Sequence, residues 1–65
     1  MHKIIKRLKV TATFPGGREV KGFTSSYPGG QGYDGTFHIW TESGETHLIN
    51  THLAETVTFE PTYEN

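Results

Sequence analysis

The chain has 65 residues, no cysteine and a formal net charge of −1. A chain of this length forms one small domain with a thin core, which leaves little room for an enclosed catalytic cavity. The lack of cysteine excludes disulfide bonds, thiolate zinc sites and cysteine nucleophiles. Because no apolar run approaches the roughly 20 residues of a membrane span, and no signal-peptide stretch follows the basic start, we expect a soluble, cytoplasmic protein.

The composition favours β-strands. Thr, Val, Ile, Phe, Tyr and Trp supply 25 of the 65 residues, and these residue types are enriched in strands. Apolar and polar residues alternate strictly over Leu8–Phe14, which predicts a first strand with one apolar face. The residues on that face are Leu8, Val10, Ala12 and Phe14.

Further strand-like segments follow, separated by turn-forming residues. They are Arg18–Thr24, Thr36–Glu42, Glu45–Asn50 and Thr56–Glu60. Ser43 and Gly44 predict a hairpin, Pro61 is expected to end the last strand, and Gly22 indicates a bend or a close backbone approach. The alternation predicts a core made of Phe14, Val20, Phe37, Ile39, Val57 and Phe59.

The segment before the last strand allows two interpretations. Thr51–Glu55 suits one turn of 3₁₀ helix between two strands. The spacing of Leu48, Ile49, His52 and Leu53 also fits a two-turn helix over Thr46–Glu55. We favour the strand and turn, because Gly44 offers a hairpin and threonine is a poor helix former.

Five short strands in so short a chain suit a strongly bent β-barrel. Leu8–Pro61 resembles the SH3-like and Sm-like small barrels in its first strand ending in a turn, its glycine at Gly22 in the second strand, and its final turn and strand over Leu53–Phe59. The resemblance implies a five-stranded SH3-like barrel with a short 3₁₀ turn before the last strand. It concerns architecture alone, because no RNA-binding Sm signature is legible in the third and fifth strands.

The charges are distributed unevenly along the chain. All six Lys and Arg residues lie within the first 21 positions, whereas six of the seven acidic residues follow them. A basic first strand could follow a phosphate backbone. Alternatively, if the first and last strands are neighbours, Lys9 and its partners would face Glu60 and Glu64 as cross-strand pairs. We favour this second interpretation, because the overall charge is close to neutral.

The segment Ser25–Gly35 is rich in glycine and carries Tyr27 and Tyr33. Its last part, Gly30–Gly35, matches the pattern G-x-G-x-x-G, but a dinucleotide site needs a helix after the glycines, and here a strand follows. The segment is therefore interpreted as a mobile connector or as a loop that contacts a ligand.

The third strand carries the most informative aromatic residue. Alternation puts Phe37 and Ile39 on one face and His38 and Trp40 on the other. If the first pair fills the core, Trp40 stands outside beside His38, which is typical of a recognition surface. The alternative is that strand bending or the glycine-rich loop covers Trp40 and makes it part of the core.

Catalytic and metal chemistry find little support. His38, His47 and His52 lack the spacing of a known zinc site, and the serines lack a nucleophile motif. Glu42 and Glu45 flank a tight turn and should both be solvated, unlike paired catalytic carboxylates. We therefore expect no enzymatic activity, no bound metal and no cofactor.

The sequence thus predicts a small, non-enzymatic binding or regulatory module that acts through an aromatic surface. The residues predicted to bind are Tyr27, Tyr33, His38 and Trp40, with Lys6, Arg7, Lys9 and Lys21 as charge contacts. The favoured partner is another protein or an identical subunit. The alternative is single-stranded nucleic acid or a free nucleotide, stacked on the aromatic residues and held by the basic strand.

Overall fold

A computed structural model describes the backbone of residues 4–64 and the side chains of residues 6–63. It consists of strands and turns, and no helix occurs in that range that could cross a membrane. The strands are β1 (Ile4–Phe14), β2 (Arg18–Thr24), β3 (Thr36–Trp40), β4 (Thr46–Asn50) and β5 (Thr56–Glu64). The five predicted strands and the all-β class are therefore confirmed.

The strands form one antiparallel sheet in the order β4-β3-β2-β1-β5. The first and last strands are neighbours, as expected, and Lys9 lies opposite Glu60. Glu64 lies opposite Ile4 instead of a basic residue. Over residues 4–64 no strand ladder joins β4 to β5, so closure into a barrel stays a prediction.

The last strand is longer than expected. β5 continues through Pro61 to Glu64, because β5 is an edge strand, where the missing proline N–H can fall on the open side. In the turn after β4 the Leu53 N–H donates to the Asn50 carbonyl at 3.1 Å and the His52 N–H donates to Asn50 Oδ1 at 3.0 Å. The predicted 3₁₀ turn is not confirmed. The helical alternative over Thr46–Glu55 is wrong, since β4 pairs with β3 along its whole length.

The core lies on one side of the sheet, which we call the inner face. Its fully buried apolar side chains are Leu8, Val10, Ala12, Ile39 and Ile49. Around them pack the partly buried residues Phe14, Val20, Phe37, Val57 and Phe59. All six predicted core residues therefore contribute, but the best-buried residues of β1 were missing from that list. They are buried because β1 lies between β2 and β5 and is covered along both edges.

The hairpin between β3 and β4 forms at the predicted Ser43 and Gly44. The Thr41 N–H donates to the Glu45 carbonyl at 2.8 Å, and the Gly44 N–H donates to the Thr41 carbonyl at 3.0 Å. Gly44 has a φ of 91°, a conformation that glycine adopts without steric cost. These bonds fix the register in which β4 runs back along β3.

A close backbone contact joins β2 to β3. The register between these strands is a single pair, Phe23 opposite Trp40. A Cβ placed on Gly22 would lie 2.8 Å from the Trp40 carbonyl oxygen and 2.9 Å from the Ile39 Cδ1. We call this contact the β2–β3 junction. It confirms the close backbone approach predicted at Gly22, and only glycine leaves the space that it needs.

The loop between β2 and β3 is tied down at its end. The Asp34 carboxylate accepts bonds from the Thr36 hydroxyl at 2.6 Å and the Thr36 N–H at 3.0 Å. The next carbonyl, at Gly35, accepts bonds from the Thr51 N–H at 2.8 Å and the Thr51 hydroxyl at 2.7 Å. His52 Nε2 lies 3.3 Å from the Asp34 carbonyl oxygen. The loop end is thereby fastened to the turn after β4.

We expect Gly22→Ala to lower the free energy of unfolding by about 1–3 kcal/mol, because the added methyl group meets a backbone oxygen that cannot move aside. Urea denaturation measures the change. Lys21→Ala, the neighbouring exposed position, should stay within about 0.5 kcal/mol of the parent. Equal stability of the Gly22→Ala variant and the parent would show that the β2–β3 junction can accommodate a methyl group at position 22.

Asp34 should titrate below its ordinary range. The Thr36 hydroxyl, and then the Thr36 N–H, hold the pKa of the Asp34 carboxyl down. Because the pKa of Asp34 is lower in the folded than in the unfolded chain, the ionised carboxylate stabilises the fold. This contribution is complete above the ordinary pKa of an aspartate, about 4, and is lost as the pH falls through the lower folded pKa. Carbon-detected NMR titration of this single aspartate measures the pKa, and Thr36→Val should raise it. An unchanged pKa in Thr36→Val would contradict the assigned cause.

Candidate binding face on the outer side of the sheet

The side of the sheet opposite the core carries aromatic and charged residues together. Because side chains alternate along a strand, Lys9 points away from the face on which Leu8 and Val10 are buried. The strand registers then place Glu60, Lys9, Phe23, Trp40 and Thr46 in one row across all five strands. We call this side the outer face; its residues are Arg7, Lys9, Lys21, Phe23, His38, Trp40 and Leu48, with their acidic neighbours.

Trp40 lies on the outer face at the end of β3, one strand in from the β4 edge. The Trp40 side chain points to the side of β3 opposite that of the buried Ile39, and it is 38% exposed. His38, two residues earlier on the same side of β3, is also exposed. Phe23 is the neighbour of Trp40 across the β2–β3 junction. An aromatic pair in register on an otherwise solvated face is the kind of anchor that protein interfaces use.

Phe23 is a member of this surface that the sequence analysis did not identify. The Arg7 guanidinium carbon lies 3.6 Å from the centre of the Phe23 ring, and the same guanidinium forms an ion pair with Glu42 at 2.9 Å. A cation over an aromatic ring at an exposed site contributes about 0.5–1 kcal/mol. The signal was available: Val20, Gly22 and Thr24 share a face in β2, so Phe23 must lie on the other.

A shallow depression of about 220 Å³ opens on the outer face beside Phe23. Its lining residues are Lys9, Lys21, Gly22, Phe23, Thr41 and Glu42. The depression could accept one apolar or aromatic side chain with a polar group at its tip.

The cations of the outer face have acidic neighbours. Arg7 pairs with Glu42, and Lys21 Nζ lies 3.3 Å from Glu19 Oε1. Lys9 is the register partner of Glu60. The two ion pairs lie at the surface, and each contributes about 0–1 kcal/mol to stability. Their combined effect is to make the outer face nearly neutral, although the cations are concentrated at one end of the sequence.

The structure brings only part of the predicted binding set together. Arg7, Lys9, Lys21, His38 and Trp40 share the outer face. Tyr27 lies on the other side of the sheet, where its ring centre is 5.5 Å from that of Phe59, itself 5.7 Å from the ring centre of Phe37. Tyr27 is found there because the loop after β2 folds back over the inner face. Tyr27 and Trp40 therefore do not form one continuous surface.

The other two predicted residues lie apart from Trp40. Tyr33 is in the loop, 39% exposed, with its N–H bonded to the Gly30 carbonyl at 3.2 Å. Lys6 is exposed and sits in β1 at the register shift between Ile5 and Arg7. A β-bulge of this kind leaves one residue without a partner on the opposite strand. Neither Tyr33 nor Lys6 extends the row that contains Trp40.

Metal ligands do not gather in the part of the chain that the structure describes. Over this part no three His, Cys, Asp or Glu side chains are close enough to hold a metal ion. His38 is on the outer face, His47 lies on β4 opposite Ile39, and His52 is in the turn after β4.

Comparisons with known protein families, with curated proteins and with solved structures find no match for this chain. The candidate site is therefore defined by its own residues and their geometry.

The fluorescence of Trp40 should report an accessible indole. Trp40 is the only tryptophan in the chain, so the emission is its own. At protein concentrations low enough to keep single subunits, we expect a red-shifted emission that acrylamide quenches, because the side chain is 38% exposed. A blue-shifted emission resistant to acrylamide in single subunits would contradict the placement of Trp40 on the outer face.

Proposed function

We propose that this protein is a non-enzymatic binding module whose outer face contacts a protein partner or an identical subunit. The observation that carries the proposal is the exposed Trp40, in register with Phe23 and next to the shallow depression. Tryptophan and arginine are the residues most enriched among interface hot spots. The near-neutral outer face favours a partner recognised by aromatic contacts over one recognised by charge alone.

The architecture proposed for this module is a small, bent barrel of the SH3-like or Sm-like kind. Two observations support it: β5 lies beside β1, and Gly22 interrupts β2 where β3 passes closest. Bending at that glycine would bring the β3–β4 hairpin over the core and shelter Ile39 and Ile49. Both residues are fully buried.

A second candidate is single-stranded nucleic acid or a free nucleotide. The observation in its favour is that Lys9 and Lys21 both line the depression beside Phe23, so a base could stack there with a phosphate between the two ammonium groups. Against it stand the acidic partners of these cations, Glu60 and Glu19. An anionic ligand would have to displace or tolerate these carboxylates.

Photo-crosslinking from a defined position tests the protein partner. A photoreactive phenylalanine analogue replaces Trp40 in one variant and Leu53, which is 64% exposed in the turn after β4, in the control. We expect a specific protein adduct from position 40 in cells, abolished by excess unmodified protein and absent from position 53. The partner identified by mass spectrometry is then titrated with the parent protein. Trp40→Ala should weaken its binding by about 30-fold or more.

Salt dependence separates the two candidates. A labelled single-stranded oligonucleotide is titrated with the protein at about 50 and 200 mM salt, since phosphate contacts make nucleic-acid affinity fall steeply over that range. Binding that falls in this way, and that is lost in Lys9→Ala and Lys21→Ala, would favour nucleic acid. Absence of both a position-40 adduct and oligonucleotide binding would overturn the proposed role of the outer face.

A further inference from the structure

The edge strand β4 has backbone groups that the sheet leaves open. The Thr41 N–H bonds to the Glu45 carbonyl, and the Thr51 N–H bonds to the Gly35 carbonyl. Residues of an antiparallel strand direct their N–H and C=O alternately towards one neighbour and away from it. His47 and Ile49 are separated from Glu45 and Thr51 by an even number of residues, so their backbone groups also point towards β3 and bond to it. The residues with backbone groups directed away from the sheet are Thr46, Leu48 and Asn50.

The two edges of the sheet are protected differently. β5 carries Glu60, Pro61 and Glu64, and charges and proline are the devices that keep edge strands from pairing with other chains. β4 reads Thr-His-Leu-Ile-Asn and contains neither proline nor any Lys, Arg, Asp or Glu. Its central residue, Leu48, is 60% exposed on the outer face. β4 is thus an uncharged edge with an exposed apolar side chain at its midpoint.

We propose that β4 pairs with β4 of a second copy across a two-fold axis at Leu48. An antiparallel register with Leu48 opposite Leu48 of the other copy also sets Thr46 opposite Asn50. In this register every outward-directed N–H and C=O of β4 meets a partner, whereas a shift by two residues leaves one residue of each copy unpaired. The Asn50 carbonyl already accepts the Leu53 N–H, and it retains a second lone pair.

Charge selects a second β4 over the other strands available. In the Leu48-centred register Glu45 lies opposite Thr51 of the other copy, so the two Glu45 carboxylates stand at opposite ends of the interface. β5 of another copy would bring Glu60 and Glu64 towards Glu45, and Pro61 would supply no N–H. The β4–β4 pair instead places two exposed leucines side by side, and their contact removes apolar surface from water.

The result would be one continuous sheet through both copies, with their outer faces on the same side. This inference depends on the backbone of β4 and does not require the function proposed for Trp40. Trp40 is on β3, one strand in from the edge, and stays exposed when β4 is paired.

Proline at position 48 tests the pairing with little disturbance of the single subunit. The Leu48 N–H points away from β3, so Leu48→Pro removes a donor that the isolated sheet does not use, and edge strands tolerate proline at such positions. Leu48→Lys is the second variant and places two ammonium groups opposite each other at the axis. Its matched control is Leu53→Lys, at a position of similar exposure outside β4. Circular dichroism establishes that each variant is folded.

Sedimentation equilibrium should give twice the 7.3 kDa subunit mass for the parent, Leu53→Lys and Trp40→Ala. Leu48→Pro should be a single subunit, and Leu48→Lys should raise the dimer dissociation constant by at least about tenfold. Amide exchange at Leu48 should slow as the protein concentration rises, whereas His47, bonded to β3, should be protected at every concentration.

Three results would overturn the proposal. A parent protein that remains a single subunit at millimolar concentration shows that β4 does not pair. A dimer dissociation constant that is unchanged in folded Leu48→Lys places the contact elsewhere. A dimer lost in Trp40→Ala but kept in Leu48→Lys assigns the contact to the outer face, which supports the proposed function and rejects the β4 edge. If Leu48→Pro does not fold, Leu48→Lys and the exchange at Leu48 decide the question.

Discussion

The close approach of Gly22 to the Trp40 carbonyl is the constraint on which the rest of the sheet depends. β1, β2 and β5 are joined by long ladders, and so are β3 and β4, but β2 and β3 share only the Phe23–Trp40 pair. This β2–β3 junction is the strand pairing that joins the hairpin, with its core residues Ile39 and Ile49, to the rest of the sheet. The same junction sets Phe23 beside Trp40 on the opposite face. One backbone contact thus positions both the core and the candidate binding face.

Basic and acidic residues are separated along the sequence but lie side by side in the folded sheet. Cations cluster near the start of the chain and acids after them, which at first sight suggests a basic surface. β1 lies between β2 and β5, however, and Arg7 reaches Glu42 at the end of the β3–β4 hairpin. The sequence order separates these residues, whereas the sheet order brings them together. The outer face consequently carries charges of both signs, and its aromatic residues distinguish it from an ordinary solvated face.

Much of the fold followed from local pattern, and the errors came from non-local contacts. Period-two alternation located the strands, and turn chemistry located the hairpin at Gly44. The extension of β5 past Pro61 could not be predicted, because it depends on β5 being an edge. The position of Tyr27 against Phe59 depends on how the eleven-residue loop between β2 and β3 folds back, which no local pattern encodes. The alternation in β2 does indicate the side on which Phe23 lies, because Val20, Gly22 and Thr24 share the opposite face.

The fastening of the β2–β3 loop has a practical consequence. The segment between Tyr27 and Asp34 is held at one end by the Phe59 ring and at the other by Thr36, while its middle is exposed. Because the entropy of closing a loop grows only with the logarithm of its length, doubling this segment would cost about 0.6 kcal/mol. A Cβ at Gly29 or Gly30 would meet nothing within 4 Å, so inserted chain has open space to enter. The tip of this loop is therefore a place where an epitope or a reporter peptide can be inserted with little disturbance of either face.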